Sequence, residues 1–213
     1  MHFLTSELVF PSVTEASEEG LLAIGGDLSV ERLLLAYRSG IFPWFDNESP
    51  ILWWSPDPRM VLFPENLNVS KSLQKKISSH VFRVTFNTAF SEVIQECASV
   101  KRSGQSDTWI TPKMVAAYVG LHQHGHAFSV EVWQDQKLVG GIYGVDLPER
   151  GIFCGESMFS HITDASKVGL YHLVAFLKSK EYQLIDCQVF TKHLASLGAE
   201  EIPRDTFLSY LKS

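Results

Sequence analysis

An aspartate inside an apolar, β-prone run is the first place in this chain where the residue types themselves suggest chemistry. Leu184-Ile185-Asp186-Cys187-Gln188-Val189 reads as a buried strand, and a carboxylate there is costly unless it is paired or at work. Side chains alternate along a strand, so Asp186 and Gln188 are expected on one face and Cys187 on the other. A carboxylate and an amide would then stand about 7 Å apart along the backbone, at ~3.3 Å per residue. Two readings are open: an Asp that caps the following helix, or a pair set to work on a substrate.

Other chemistry-bearing groups give less. Cys97, Cys154 and Cys187 are an odd number with no CxxC spacing, which argues against a disulfide framework or a zinc site and for a reducing compartment. His122, His124 and His126 fall at a helix end with spacing that does not converge and no Cys or carboxylate beside them, so no metal is expected. Glu19 to Asp27 carries turn glycines but neither a GxxxxGK[ST] nor a GxGxxG phosphate loop. Trp44, Trp53 and Trp54 lie within eleven positions. Most of these rings should be core of a small unit, and one of them a candidate for the wall of a ligand pocket.

Composition sets the outer bounds. At 213 residues with 45% hydrophobic content, one large domain or a small and a medium one can bury a core. The apolar runs are far short of the ~20 residues of a membrane span, and Met1 to Glu7 does not have the build of a secretory signal. A cytoplasmic protein is expected. The net charge of −6 argues against nucleic acid as a general partner, but it is uneven. Lys71, Lys75, Lys76, Arg83, Lys101 and Arg102 face only Glu92 and Glu96 between residues 71 and 102. That local excess of four positive charges fits either a polyanionic partner or a plain solvated face.

The elements that must position these groups follow from pattern. Ser29 is a fair N-cap for a helix through Leu33, Leu34, Ala36 and Tyr37, with Gly40 as its stop. Phe82 to Phe86 alternates as a strand, and Phe90, Val93, Ile94, Cys97 and Ala98 follow helical spacing. Ser103 to Asp107 is expected to be a loop. Thr111-Pro112 opens a helix that Gly125 ends. Ala127 to Trp133 and Leu138 to Val145 form a hairpin, where Gly140, Gly141 and Gly144 suggest a bulge or the close approach of a ligand. In the next strand Phe153, Gly155, Ser157 and Phe159 are expected on one face, and Cys154, Glu156 and Met158 on the other. A long helix follows to about Lys180, with Leu170, Leu173, Val174 and Leu177 inward. Gly169 inside it implies close packing against a neighbour. After the Asp186 strand come a short helix from Lys192 to Leu197 and an amphipathic tail from Arg204 to Leu211. The fold class is α+β: a small N-terminal domain over residues 1–60, then a mixed-sheet domain over 61–213.

An ordered set of fragments is similar to one family. Gly40-Ile41-Phe42-Pro43-Trp44-Phe45, Leu52-Trp53-Trp54-Ser55-Pro56-Asp57-Pro58-Arg59, Thr108-Trp109-Ile110-Thr111 and Gly140-Gly141-Ile142-Tyr143-Gly144-Val145 carry the resemblance in the first two thirds. Phe153 to Ser160, Asp164-Ala165-Ser166-Lys167, Leu184 to Val189, Ser196 to Ala199 and Glu201-Ile202-Pro203 continue it. Together they resemble the leucyl/phenylalanyl-tRNA–protein transferases across nearly the whole chain. The resemblance implies a GNAT-like second domain. It also implies transfer of Leu or Phe from aminoacyl-tRNA to the α-amine of proteins beginning with Arg or Lys, a mark for N-degron degradation. No metal, coenzyme A or other cofactor is implied, and the chain has no Gly-rich pyrophosphate loop between Ser160 and Lys167.

On that reading Asp186 holds Gln188, which orients the attacking amine, and Glu156 binds the cationic acceptor unless it is merely paired with a lysine such as Lys167. Trp44, Phe153, Met158, Leu170 and Ile185 are expected to line the aminoacyl pocket. Tyr37 and Trp109 are expected to stack on the 3′-terminal adenosine, and Lys71, Lys75, Lys76 and Arg83 to meet tRNA phosphates. Thr191 stands where the family commonly has Asn. Rival readings are an N-acetyltransferase of the same fold, disfavoured by the missing loop, and a non-catalytic module for basic N-termini or tRNA. A hydrolase built on Cys154 or Cys187 has no His beside either thiol.

Overall fold

A computed structural model of the chain describes residues 2–100 and 109–212. The loop expected at Ser103–Asp107, with Lys101 and Arg102 of the basic stretch and Thr108 of the family motifs, lies outside the described residues. Short strands and one helix build the first part: β1 (His2–Leu4), β2 (Leu21–Gly25), α1 (Val30–Arg38), β3 (Phe42–Pro43) and β4 (Leu52–Trp54). The strands make one sheet in the order β1-β2-β4-β3. Ser29 caps α1 through the Arg32 N–H. Asp27 accepts from the Ser29 N–H at 2.9 Å and pairs with Arg32 at 3.2 Å, while Arg32 also donates to the Thr5 carbonyl at 2.8 Å. Trp53 is wholly buried, and its indole N–H donates to the Gly25 carbonyl at 2.9 Å. Trp44 remains 39% exposed.

The second part runs β5 (Arg59–Leu62), α2 (Lys71–Ser78), β6 (Arg83–Phe86), α3 (Phe90–Ser99), α4 (Pro112–Gln123), β7 (Ala127–Gln134), β8 (Lys137–Leu147), β9 (Ile152–Ser160), α5 (Ala165–Ser179), β10 (Leu184–Gln188), α6 (Lys192–Ser196), β11 (Glu200–Ile202) and α7 (Arg204–Lys212). Its seven strands form a mixed sheet in the order β11-β5-β10-β9-β8-β7-β6, an α+β architecture as expected. The hairpin of β7 and β8 turns on Asp135 and Gln136, both at positive φ, the geometry that suits a two-residue connection between twisted strands. Thr111 caps α4 with Pro112 at its first position. The stretch Lys71–Ser78 forms α2, capped by Ser70 through the Leu73 N–H.

Alternation along the strands sorts the core onto two faces. One face joins Val61, Tyr143, Val145, Cys154 and Phe159 to α3 and α4, and through Tyr37, Leu33 and Trp53 to the N-terminal part. The other joins Met60, Leu62, Ile142, Phe153 and Ile185 to Leu170, Leu173 and Leu177 of α5. Each such side chain contributes roughly 1.5–3 kcal/mol through its burial.

Strict alternation fails at two neighbouring points, and both matter for the site. Gly144 pairs with Gly155 and Tyr143 with Ser157, so Glu156 is an extra residue in β9. Beyond it the faces exchange: Met158 packs on the α5 side and Phe159 on the α3 side, the reverse of the expected order. In β10, Asp186 pairs with Val61 and Gln188 with Met60, so Cys187 is the extra residue there, and Gln188 sits at φ 59°. Bulges commonly re-aim side chains beside functional sites.

The glycines of β8 and α5 serve packing. A Cβ on Gly140 would meet Ala165 at 2.8 Å, and one on Gly169 would meet Val132 at 3.1 Å. At Gly144 a Cβ would lie 2.2 Å from the Cys154 carbonyl oxygen and 2.6 Å from the Phe153 ring. The close approach there is made by the neighbouring strand and not by a ligand. Gly144→Ala should therefore destabilise the protein by roughly 2–3 kcal/mol, whereas Gly125→Ala, with nothing within 4 Å of its Cβ, should carry only the cost of its positive φ. Urea unfolding of the two variants checks the ordering.

Candidate active site

β9 and β10 pair in parallel only over Ile152–Cys154 and Leu184–Asp186. Past that point they part, and the gap opens into a cavity of about 450 Å³. Its apolar wall includes Trp44, Phe153, Met158, Leu170 and Ile185, so the five residues expected around an aminoacyl side chain stand together. Phe153 and Met158 share this wall because of the bulge at Glu156; strict alternation would have sent them to opposite faces. Glu156, Ser157, Gln188, Thr191 and His193 supply the polar part, and Trp109 lies at the cavity too.

Asp186 does not line the cavity. Its carboxylate takes two bonds from Arg59, from Nε at 2.8 Å and from Nη2 at 2.7 Å, with both side chains 1% exposed. Burial by itself would weaken the guanidinium charge, but Asp186 outweighs it and holds Arg59 above its ordinary value. Asp186 also accepts the Gln188 backbone N–H at 3.0 Å. The expected side-by-side carboxylate and amide is thus corrected. With Cys187 inserted as an extra residue, the two side chains do not meet, and Asp186 holds Gln188 by its backbone. The Gln188 amide Nε2 donates instead to Glu156 at 3.2 Å.

Glu156 stands at the centre of the polar wall. Tyr118 donates its hydroxyl proton to the other carboxylate oxygen at 2.9 Å. Burial pushes the Glu156 carboxyl up to about 7, with the Tyr37 and Tyr118 hydroxyls pulling down, Asp186 pushing up and Arg59 opposing it. Lys167 is not its partner, since it pairs with Asp164 at 3.1 Å.

One other expectation changes. Tyr37 is 1% exposed and bonded through its hydroxyl to Tyr118, so its ring cannot stack on a nucleoside. Lys71, Lys75, Lys76 and Arg83 are not brought onto the cavity. Lys71 and Lys75 are exposed on α2, and Lys76 is engaged by the Thr163 carbonyl and Asp164. Arg83 lies over the Trp133 ring at 5.3 Å on an edge strand, three strands from β9, or ~15 Å.

The groups singled out for other chemistries are poorly placed for them. Burial raises both the Cys154 and the Cys187 thiols well above their ordinary value, which leaves them poor nucleophiles. His122 stacks on Phe90 and bonds the Ala127 carbonyl, and His124 bonds the Gly120 carbonyl. Thr191 caps α6 through the Leu194 N–H at 3.1 Å. Among the described residues no helix is long and apolar enough to cross a membrane.

Arg59 and Tyr118 were not singled out from sequence. Arg59 ends the Trp-Pro motif without any visible partner, and Tyr118 sits at helical spacing with Met114 and Leu121, as a core residue would. Removing one partner of a buried pair leaves an uncompensated charge. Asp186→Asn should therefore cost about 3 kcal/mol of stability, and much less in an Arg59→Met background. A double-mutant cycle in urea measures both.

A family model described as leucyl/phenylalanyl-tRNA protein transferase matches residues 61–212, and the model for the N-terminal domain of that family matches residues 26–57. The leucyl/phenylalanyl-tRNA–protein transferase of Flavobacterium psychrophilum is 58% identical over 212 residues, covering 100% of each chain. That of Syntrophobacter fumaroxidans is 58% identical over 208 residues, covering 98% of this chain and 88% of its own. Solved structures with a fainter likeness include L-PGS from Bacillus licheniformis, with a TM-score of 0.42 at 10% identity, covering 82% of this chain and 57% of that one. A GCN5-related N-acetyltransferase from Kribbella flavida gives a TM-score of 0.35 at 12% identity, covering 79% of this chain and 59% of that one. With both family models matched in order, and relatives more than half identical over its full length, the chain belongs to the leucyl/phenylalanyl-tRNA–protein transferase family of aminoacyltransferases.

Proposed function

We propose that this chain moves Leu or Phe from aminoacyl-tRNA to the α-amine of proteins beginning with Arg or Lys, in the cytoplasm, marking them for N-degron degradation. The observation that carries this reading is one cavity with an apolar wall beside a carboxylate and an amide. The apolar wall suits a Leu or Phe side chain, while Glu156 suits an acceptor's cation.

The donor ester is already activated, and the nucleophile is an α-amine with a pKa of about 7.7–8.0. A fair fraction of it is neutral near pH 7, so positioning contributes more than proton abstraction. The amine nitrogen attacks the ester carbonyl carbon and a C–N bond forms. The bond to the ribose oxygen breaks, the amine loses one proton, and the ribose oxygen gains one. Gln188 donates through Nε2 to Glu156, which leaves its carbonyl oxygen to accept a hydrogen bond from the amine. Asp186 aims Gln188 through the backbone and does not take the proton, since its oxygens are committed to Arg59 and the Gln188 N–H. Trp109 stacks on the terminal adenosine, and Lys71, Lys75 and Arg83 meet phosphates farther along the tRNA.

Incubation with Leu-tRNA or Phe-tRNA labelled in the amino acid should label peptides beginning with Arg or Lys and leave those beginning with Ala nearly unlabelled. Equal labelling of all three would remove the acceptor assignment, and no labelling would remove the activity. Glu156→Lys should abolish the preference for basic acceptors, and Phe153→Ala should weaken Leu transfer by roughly 10–200-fold, the worth of about 1–3 kcal/mol of pocket contact. Transfer should also fall as salt rises if the basic residues meet phosphate.

A further inference from the structure

Behind Glu156 stand two phenols that the transfer reaction itself gives no reason to place there. Tyr118 of α4 donates to one oxygen of Glu156, and Tyr37 of α1 shares a hydrogen bond with the Tyr118 hydroxyl. Both rings are buried, and neither lines the cavity. The Tyr118 ring meets Tyr143 edge-on at 5.7 Å. A phenol has a single proton. When Tyr118 gives its proton to an ionised Glu156, its oxygen must accept from Tyr37, so the relay points one way, toward the carboxylate. Hydrogen bonds to the ionised form favour that form. The relay also fixes which oxygen is taken: one is held by Tyr118, while the other receives the Gln188 amide.

We propose that Tyr118, with Tyr37 behind it, is a positioning residue for acceptor recognition: it pins one Glu156 oxygen in the charged form and leaves the other beside Gln188 for the acceptor's cation. This rests on the reading of Glu156 as the acceptor's counter-charge. The groups that face Glu156 are Tyr37 and Tyr118 from the two helices, Asp186 and Gln188 from β10, Arg59 from β5 and Cys154 on its own strand, with Tyr143 of β8 behind Tyr118. Burial works against the Glu156 charge and the two hydroxyls work for it. The folded carboxyl lies above its ordinary value, so the charge is present above about pH 7 and lost as pH falls through it. Removing the Tyr118 hydroxyl moves that loss to higher pH.

The test is the ratio of kcat/KM for peptides beginning with Arg and with Ala, read by labelled Leu transfer from about pH 6 to about pH 9. Titration of the α-amine affects both peptides and cancels in the ratio. The parent ratio should rise with pH through about 7. Tyr118→Phe should move the midpoint up by about one unit, the worth of one hydrogen bond, which is about a fivefold loss of the ratio at pH 7 recovered by about pH 9. Tyr37→Phe should shift it in the same direction, and serves alone if Tyr118→Phe fails to fold. The loss should appear in KM for the Arg peptide and leave the Ala peptide unchanged. An unshifted ratio profile, or an equal fall for both peptides at every pH, overturns the positioning role. Glu156→Gln separates the two claims. If it keeps the Arg preference, the counter-charge reading fails; if it loses the preference while Tyr118→Phe keeps the parent profile, only the relay fails.

Discussion

The buried pair of Arg59 and Asp186 is the contact on which the rest of the site depends. Both charges are out of water, a state that costs several kcal/mol per ion and is offset only by near-ideal geometry. Here the fork of the guanidinium meets both carboxylate oxygens, a third donor reaches the Gly40 carbonyl at 3.1 Å, and the rings of Phe42 and Phe207 lie 4.8 and 4.6 Å from the cation. One side chain thus joins the N-terminal part, β5, β10 and α7. The same carboxylate also accepts the Gln188 N–H, so the anchor to the N-terminal part and the amide in the cavity are fixed by a single group. A lysine could not hold all of this at once, because it lacks the planar, two-pronged donor set.

From that anchor the cavity follows. A strand that continued regularly past Asp186 would stay paired with β9 and close the gap. The extra residue at Cys187 and the positive φ at Gln188 turn the chain away instead, and the extra residue at Glu156 turns β9 in its own fashion. Where the two strands separate, backbone gives way to side chains: apolar ones from α5 and the strand faces on one wall, Glu156 and Gln188 on the other. The arrangement brings an apolar socket and a charged group within one space without burying the charge unpaired, since Tyr118 and Gln188 both donate to Glu156.

Much of this was legible beforehand. The caps at Ser29 and Thr111, the hairpin of β7 and β8, the inward leucines of α5 and the apolar set Trp44, Phe153, Met158, Leu170 and Ile185 all follow from local residue types and the family's ordered motifs. The short strands of the first sixty residues were not read, because two to five residues carry too little periodicity. Tyr37 looks like a stacking ring in sequence, since an aromatic residue near a motif is the same there whether it faces a ligand or another tyrosine.

The sequence by itself determined the class of fold, the family and which residues are too costly to bury without reason, because propensity, capping and alternation act within a few residues of one another. Only the tertiary structure decided what Asp186 pairs with. A strand's alternation is a local rule, and a single bulged residue cancels it, while the partner that matters, Arg59, lies 127 residues away in the chain. Pairing across that distance depends on sheet order and register, and these are set by the whole core and not by any stretch that can be read alone.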